Sequence, residues 1–109
     1  NKNYKILKKF IKINIVSASA PNLNYEKFNK KKVKKIIKLL FISPKKKNNK
    51  IATIILGAWG CGMFANDPKQ IAKLFKKIII NYGDLYKNIV FAIPKGTNYN
   101  IFYNILSKL

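Results

Sequence analysis

A chain of 109 residues and 12.6 kDa has room for one small domain and excludes a second. With 49% hydrophobic and 13% aromatic residues it can bury a core, which excludes a disordered tail. The formal charge is +20, from 23 basic and 3 acidic residues, and excludes an acidic or charge-balanced surface.

Residues 10–17, FIKINIVS, alternate Ile11, Ile13 and Ile15 with Lys12 and Asn14, the pattern of a half-exposed strand. Pro21 forbids further pairing and ends it in the loop at residues 18–22. From residue 26 to 42 the period becomes helical, with Val33, Ile36, Ile37 and Leu40 on one face and lysines elsewhere. Glu26 sits at the expected start, where it complements the helix dipole, and Pro44 is expected to stop the helix. Residues 45–50 read as a polar turn.

Residues 51–56, IATIIL, are short and continuously apolar, which predicts a strand covered on both faces. A glycine-rich run follows, LGAWGCGMFANDP at residues 56–68. Asp67 as N-cap and Pro68 at the first helical position open a helix over residues 68–81, with Ile71, Leu74, Phe75, Ile78 and Ile79 on one stripe. Gly83 and Asp84 break it. Residues 88–93, NIVFAI, predict another fully covered strand, and residues 99–109 a final helix buried through Ile101, Phe102, Ile105 and Leu106. Strand, helix, strand, helix, strand, helix is the order of a parallel sheet flanked by helices, an α/β fold with right-handed crossovers.

Every basic residue is lysine, and arginine and histidine are absent. Such a charge attracts polyanions, yet Lys, Asn and Ile share A/T-rich codons, and guanidinium, the usual reader of phosphate and guanine, is missing. Composition alone therefore leaves two readings open, a nucleic-acid-binding surface or solvated lysine faces. Cys61 stands alone, so no intrachain disulfide forms and a reducing, intracellular compartment is expected, cytoplasmic or nuclear. No apolar run approaches the about 20 residues of a membrane span, and the first residues lack a signal-peptide pattern, so neither feature is expected. Because the sequence opens on Asn1, we expect it to derive from a longer product.

In open α/β sheets, ligands bind beyond the carboxyl ends of the strands, and the loops at residues 18–22 and 57–66 both belong to that edge. Gly57, Gly60 and Gly62 let backbone amides approach a ligand, and the helix opening at Pro68 adds partial positive charge, which together suit phosphate. The spacing G-x-x-G-x-G is not the dinucleotide fingerprint, and no Gly-Lys-Ser/Thr of a P-loop follows. A plain strand-to-helix turn explains the same glycines. Trp59 and Phe64 flank them; Trp59 could cover a ribose or base, or simply anchor the core. Cys61 lacks the histidine that a Cys-His nucleophile needs, so it reads as a small packing residue, and no metal-ligand cluster or cofactor motif is present. Glu26, Asp67 and Asp84 are the only acids, and no acid-base pair can be assembled from them.

The strings SASAPN at residues 17–22, LGAWGCGMFANDP at residues 56–68 and VFAI at residues 90–93 together resemble the C-terminal half of the microbial poly(ADP-ribose) glycohydrolases. That resemblance implies a three-layer α/β/α macrodomain-like fold of which residues 1–109 form a partial domain, with about three mainly parallel strands. It implies ADP-ribose, free or on a protein, as ligand, held by backbone groups of Gly60, Cys61, Gly62 and Met63. Phe64 would lie on the ribose side, with Gly57, Trp59 and Asn22 nearby. The family's catalytic glycine triplet and Gln-Glu-Glu segment lies upstream of the matched region and has no counterpart here, so the chain should bind without cutting. An incomplete sheet should also leave an edge open for self-association or for a missing N-terminal half. A lysine-rich nucleic-acid-binding or scaffolding module is the alternative.

Overall fold

The computed structural model describes residues 13–109. Three helices and two strands make up these residues: α1 (Lys30–Lys47), β1 (Thr53–Leu56), α2 (Pro68–Tyr82), β2 (Asn88–Phe91) and α3 (Thr97–Leu106), with a short 3-10 turn at Gly83–Leu85. The strands pair in parallel, Thr53 beside Asn88 through Leu56 beside Phe91, with α2 as the crossover. An α/β fold is thus present, with a smaller sheet than expected. Of the predicted first strand, residues 10–12 lie outside the described residues, and residues 13–17 belong to no strand.

One core joins all three helices to one face of the sheet. Val33, Ile37 and Phe41 from α1, Ile71, Ala72, Leu74, Phe75 and Ile78 from α2, Ile54 from β1 and Phe102 from α3 are buried together. Phe75 meets the edge of Phe91 at 5.3 Å between ring centroids, and Phe91 lies 5.8 Å from Phe102. Tyr86 closes the other end, its ring edge-on to Phe41 and its hydroxyl donating to the Phe41 carbonyl at 2.6 Å.

The opposite face of the sheet is open. Ile55 is 68% exposed and its register partner Val90 44%, so neither strand is covered on both sides among the described residues. Residues 13–16 border β1 only across a groove of about 490 Å³ that Leu40, Pro44 and Ile51 also line.

Helix boundaries follow capping chemistry more closely than apolar period. α1 starts at Lys30 because Asn29 caps it, its side-chain oxygen accepting from the Lys32 amide at 3.1 Å. Glu26 therefore precedes the helix and instead lies 3.6 Å from the Lys32 ammonium. Pro44 does not stop α1: the helix runs one turn further, with Asn48 N–H donating to the Pro44 carbonyl at 3.0 Å. Lys45, Lys46 and Lys47 suit the negative end of the dipole, and Lys45 also donates to the Ile51 carbonyl and lies 5.7 Å from the Tyr86 ring centroid. The predicted polar turn at residues 45–50 thus shortens to its second half. α2 keeps its expected start, with Asp67 accepting from the Lys69 amide at 3.0 Å and Pro68 in the first turn.

Candidate functional site

Three loops gather where β1 and β2 end. The glycine-rich loop, residues 57–66, leaves β1 and is tied to residues 18–24 at four points. Trp59 donates its indole N–H to the Ala18 carbonyl at 2.9 Å, Asn66 donates to the Pro21 carbonyl at 2.9 Å, Leu23 N–H donates to the Phe64 carbonyl at 2.9 Å, and Asn24 donates to the Met63 carbonyl at 2.7 Å. From the third loop, Asn98 at the start of α3 reaches the Cys61 carbonyl at 3.5 Å.

Asn66 is the centre of this junction. It is 2% exposed, and its amide nitrogen bridges the carbonyls of Pro21 and Gly60, each at 2.9 Å. Because both partners are acceptors, the side-chain orientation is fixed by the network: only Nδ2 can face them. Oδ1 is buried with no donor among the described residues.

The three glycines have different reasons to be glycine. Gly60 adopts φ +75°, and a Cβ there would lie 2.7 Å from Asn66 Nδ2 and 2.8 Å from Ala20 Cβ, so the fold itself requires it. It is the third residue of a turn closed by Cys61 N–H on the Ala58 carbonyl at 3.1 Å. Gly57 and Gly62 differ. A Cβ at either would meet nothing within 4 Å, and neither has positive φ. A second turn, Ala65 N–H on the Gly62 carbonyl at 3.0 Å, carries the chain on, and Ala65 takes φ 59°. The amides of Gly62, Met63 and Phe64 have no acceptor among the described residues, and Met63 is 92% exposed. The result is a ledge of free N–H groups beside the N-terminus of α2, with no opposing wall among the described residues.

The remaining site residues divide between packing and surface. Trp59 is half-buried against the core, so the anchoring reading describes its ring, while its N–H holds the loop. Phe64 is partly exposed on the outer side. Asn22 is occupied locally: its side-chain oxygen accepts from the Asn24 backbone at 3.0 Å and side chain at 2.8 Å, and its carbonyl accepts from Tyr25 and Glu26. Asn66 and Asn24, which do the stitching, escaped the sequence reading; an asparagine inside a glycine turn, facing a proline loop, was the available signal.

Burial, reinforced by the Asp67 carboxylate, pushes the Cys61 thiol from 9.0 up to about 11. A thiol so placed is protonated at neutral pH and is a poor nucleophile. Burial also raises the Tyr86 phenol above its usual value. Both groups give up a proton less readily folded than unfolded, so each contributes stability that is lost at high pH; the Cys61 part is complete below about pH 9 and declines as the pH rises through 9 to 11. Urea midpoints should be level from pH 7 to 9 and fall above that. Cys61→Ala should flatten part of the fall, which separates the thiol from the discharge of lysines. A decline identical in the variant would remove Cys61 as a cause.

Among the described residues no group of three or more His, Cys, Asp or Glu side chains comes together, and no helix is long and apolar enough to cross a membrane. In comparisons with known proteins, no family model, no curated protein and no solved structure matches the chain.

Proposed function

We propose that the ledge at residues 57–66 binds the diphosphate of ADP-ribose, and that the chain is the ADP-ribose-binding, non-cleaving portion of a poly(ADP-ribose) glycohydrolase-like protein. The observation that carries this reading is the pair Gly57 and Gly62, glycines that the packing of the chain does not require. A missing side chain with nothing to accommodate inside the protein is explained by something that approaches from outside, and the free amides of Gly62, Met63 and Phe64 are donors for such an anion. The α2 N-terminus beside them contributes partial positive charge. Phe64 and Met63 on the outer side would pack on a ribose. In this reading the open face at Ile55 and Val90 receives the second helix layer of a complete macrodomain-like fold, and the glutamates of catalysis lie outside this chain.

Titration calorimetry with ADP-ribose tests it. Gly62→Val should leave the circular dichroism spectrum unchanged and lower affinity at least tenfold, since a Cβ at residue 62 meets no atom of the fold within 4 Å. Adenosine, which lacks the diphosphate, should bind far more weakly than ADP-ribose. Undetectable binding to the unmodified chain, or equal affinity in Gly62→Val, would sink the proposal.

A further inference from the structure

A second surface lies between α1 and α2. Lys38 of α1 rests 5.1 Å from the ring centroid of Tyr82, near the end of α2, while Lys30 at the start of α1 shares a groove with Gln70, Lys73 and Lys77. The two helices therefore run in the same direction, and both N-termini point to the same end of the groove. The groove measures about 350 Å³, has Phe28 and Leu74 as its apolar floor, and carries Lys30, Lys73 and Lys77 on its walls. Next to it, Asn29, Lys31, Lys32, Lys34, Lys35 and Lys38 line an open surface of α1.

This arrangement works against the stability of the chain by itself. Neither helix has an acid in its first turn, and Lys30, Lys31 and Lys32 sit where the α1 dipole disfavours cations. Lys30, Lys34 and Lys38 repel at i,i+4 spacing, as do Lys73 and Lys77. Among the described residues the one ion pair is Lys32 with Glu26, which leaves the three groove lysines without a carboxylate. An anionic partner offsets all of these costs at once.

We infer that this groove binds single-stranded nucleic acid through its phosphodiester backbone. Lysines tracking a groove with an apolar floor, and an aromatic ring free to stack, are what sequence-independent single-strand binding requires. Tyr25, 89% exposed and three residues before Phe28 in the chain, is the ring we assign to that role.

Fluorescence anisotropy with a labelled oligouridine is the test, on the whole chain. Lys30→Gln, Lys73→Gln and Lys77→Gln combined should weaken binding at least tenfold. The slope of log affinity against log salt should become shallower by about 2, at about 0.7 for each lost phosphate contact. Lys46→Gln, Lys47→Gln and Lys50→Gln remove the same charge from exposed sites at the far end of α1 and should change affinity less than threefold. Tyr25→Ala should lower it about fivefold or more. Equal losses in the two triple variants would overturn the groove in favour of overall charge. Phosphatidylserine vesicles that bind through the same three lysines, while oligouridine binding is unchanged, would overturn it in favour of a membrane surface. Gly62→Val should leave oligouridine binding intact, so failure of the ADP-ribose titration and failure of this one are separate results.

Discussion

Asn66→Asp should be the most damaging single-atom exchange in this chain, lowering unfolding free energy by about 3–5 kcal/mol. The change keeps the shape of the side chain and replaces the Nδ2 donor by an acceptor. That atom serves two carbonyls, Pro21 and Gly60, at 2.9 Å each, in a site 2% exposed. After the exchange, oxygen faces oxygen at both contacts, and a charge is buried without a partner. Against a typical total stability of about 5–10 kcal/mol for a small domain, this removes from about a third to all of it at neutral pH. The pH dependence is diagnostic. A buried carboxyl facing carbonyls has its proton held more tightly in the folded state, so the variant should regain part of its stability as the pH falls from neutral toward the ordinary aspartate range, with no further gain below it, and lose it again as the pH rises. Urea denaturation at pH 4 and pH 7 reads this directly. An Asn66→Asp protein as stable as the parent at pH 7 would show that the two loops are not joined through this side chain.

The second large effect belongs to the aromatic cluster. Phe75→Ala should cost about 3–5 kcal/mol, and Phe75→Leu about 1–1.5. Phe75 is buried where α2 crosses the sheet, edge-on to Phe91 and 6.5 Å from the Phe102 ring centroid, so it touches a helix, a strand and a second helix together. No neighbour can collapse into the space without breaking one of those contacts. The urea midpoint should shift with the slope of the transition retained, and the aromatic circular dichroism should weaken. A shift under about 1 kcal/mol would mean that the cluster is loosely packed.

Much of this fold was legible in local chemistry. α2 followed from Asp67, Pro68 and a clean apolar stripe, because cap and period agree there. α1 was misjudged at both ends for opposite reasons. Its start depends on one hydrogen bond from the Asn29 side chain, which outweighs the apolar period upstream, and its last turn survives Pro44 because Lys45 gains a carbonyl and an aromatic ring beyond it. The apolar strings at β1 and β2 predicted coverage on both sides, yet Ile55 and Val90 face outward. A continuous apolar run records what a strand can bury; it does not say which layers stand beside it. At the candidate site, residues 18–22 and 57–66 do come together, yet without the first strand from which residues 18–22 were expected to leave, and the side chains that join them, Trp59, Asn66 and Asn24, are long-range contacts that no spacing rule encodes.

The parallel register of β1 with β2 also bears on the order in which the chain folds. Thr53 can find Asn88 only after the whole of α2 has been laid down between them, so the ladder closes a long loop and brings little return until the helix already stands. The expected sequence of events has α2 and its aromatic contacts forming first and the four-residue strands zipping up last. Whatever closes last opens first. The glycine ledge hangs from the end of β1, so its donors are in position only while that short ladder is shut, and any anion held there would act as a latch on the final folding step.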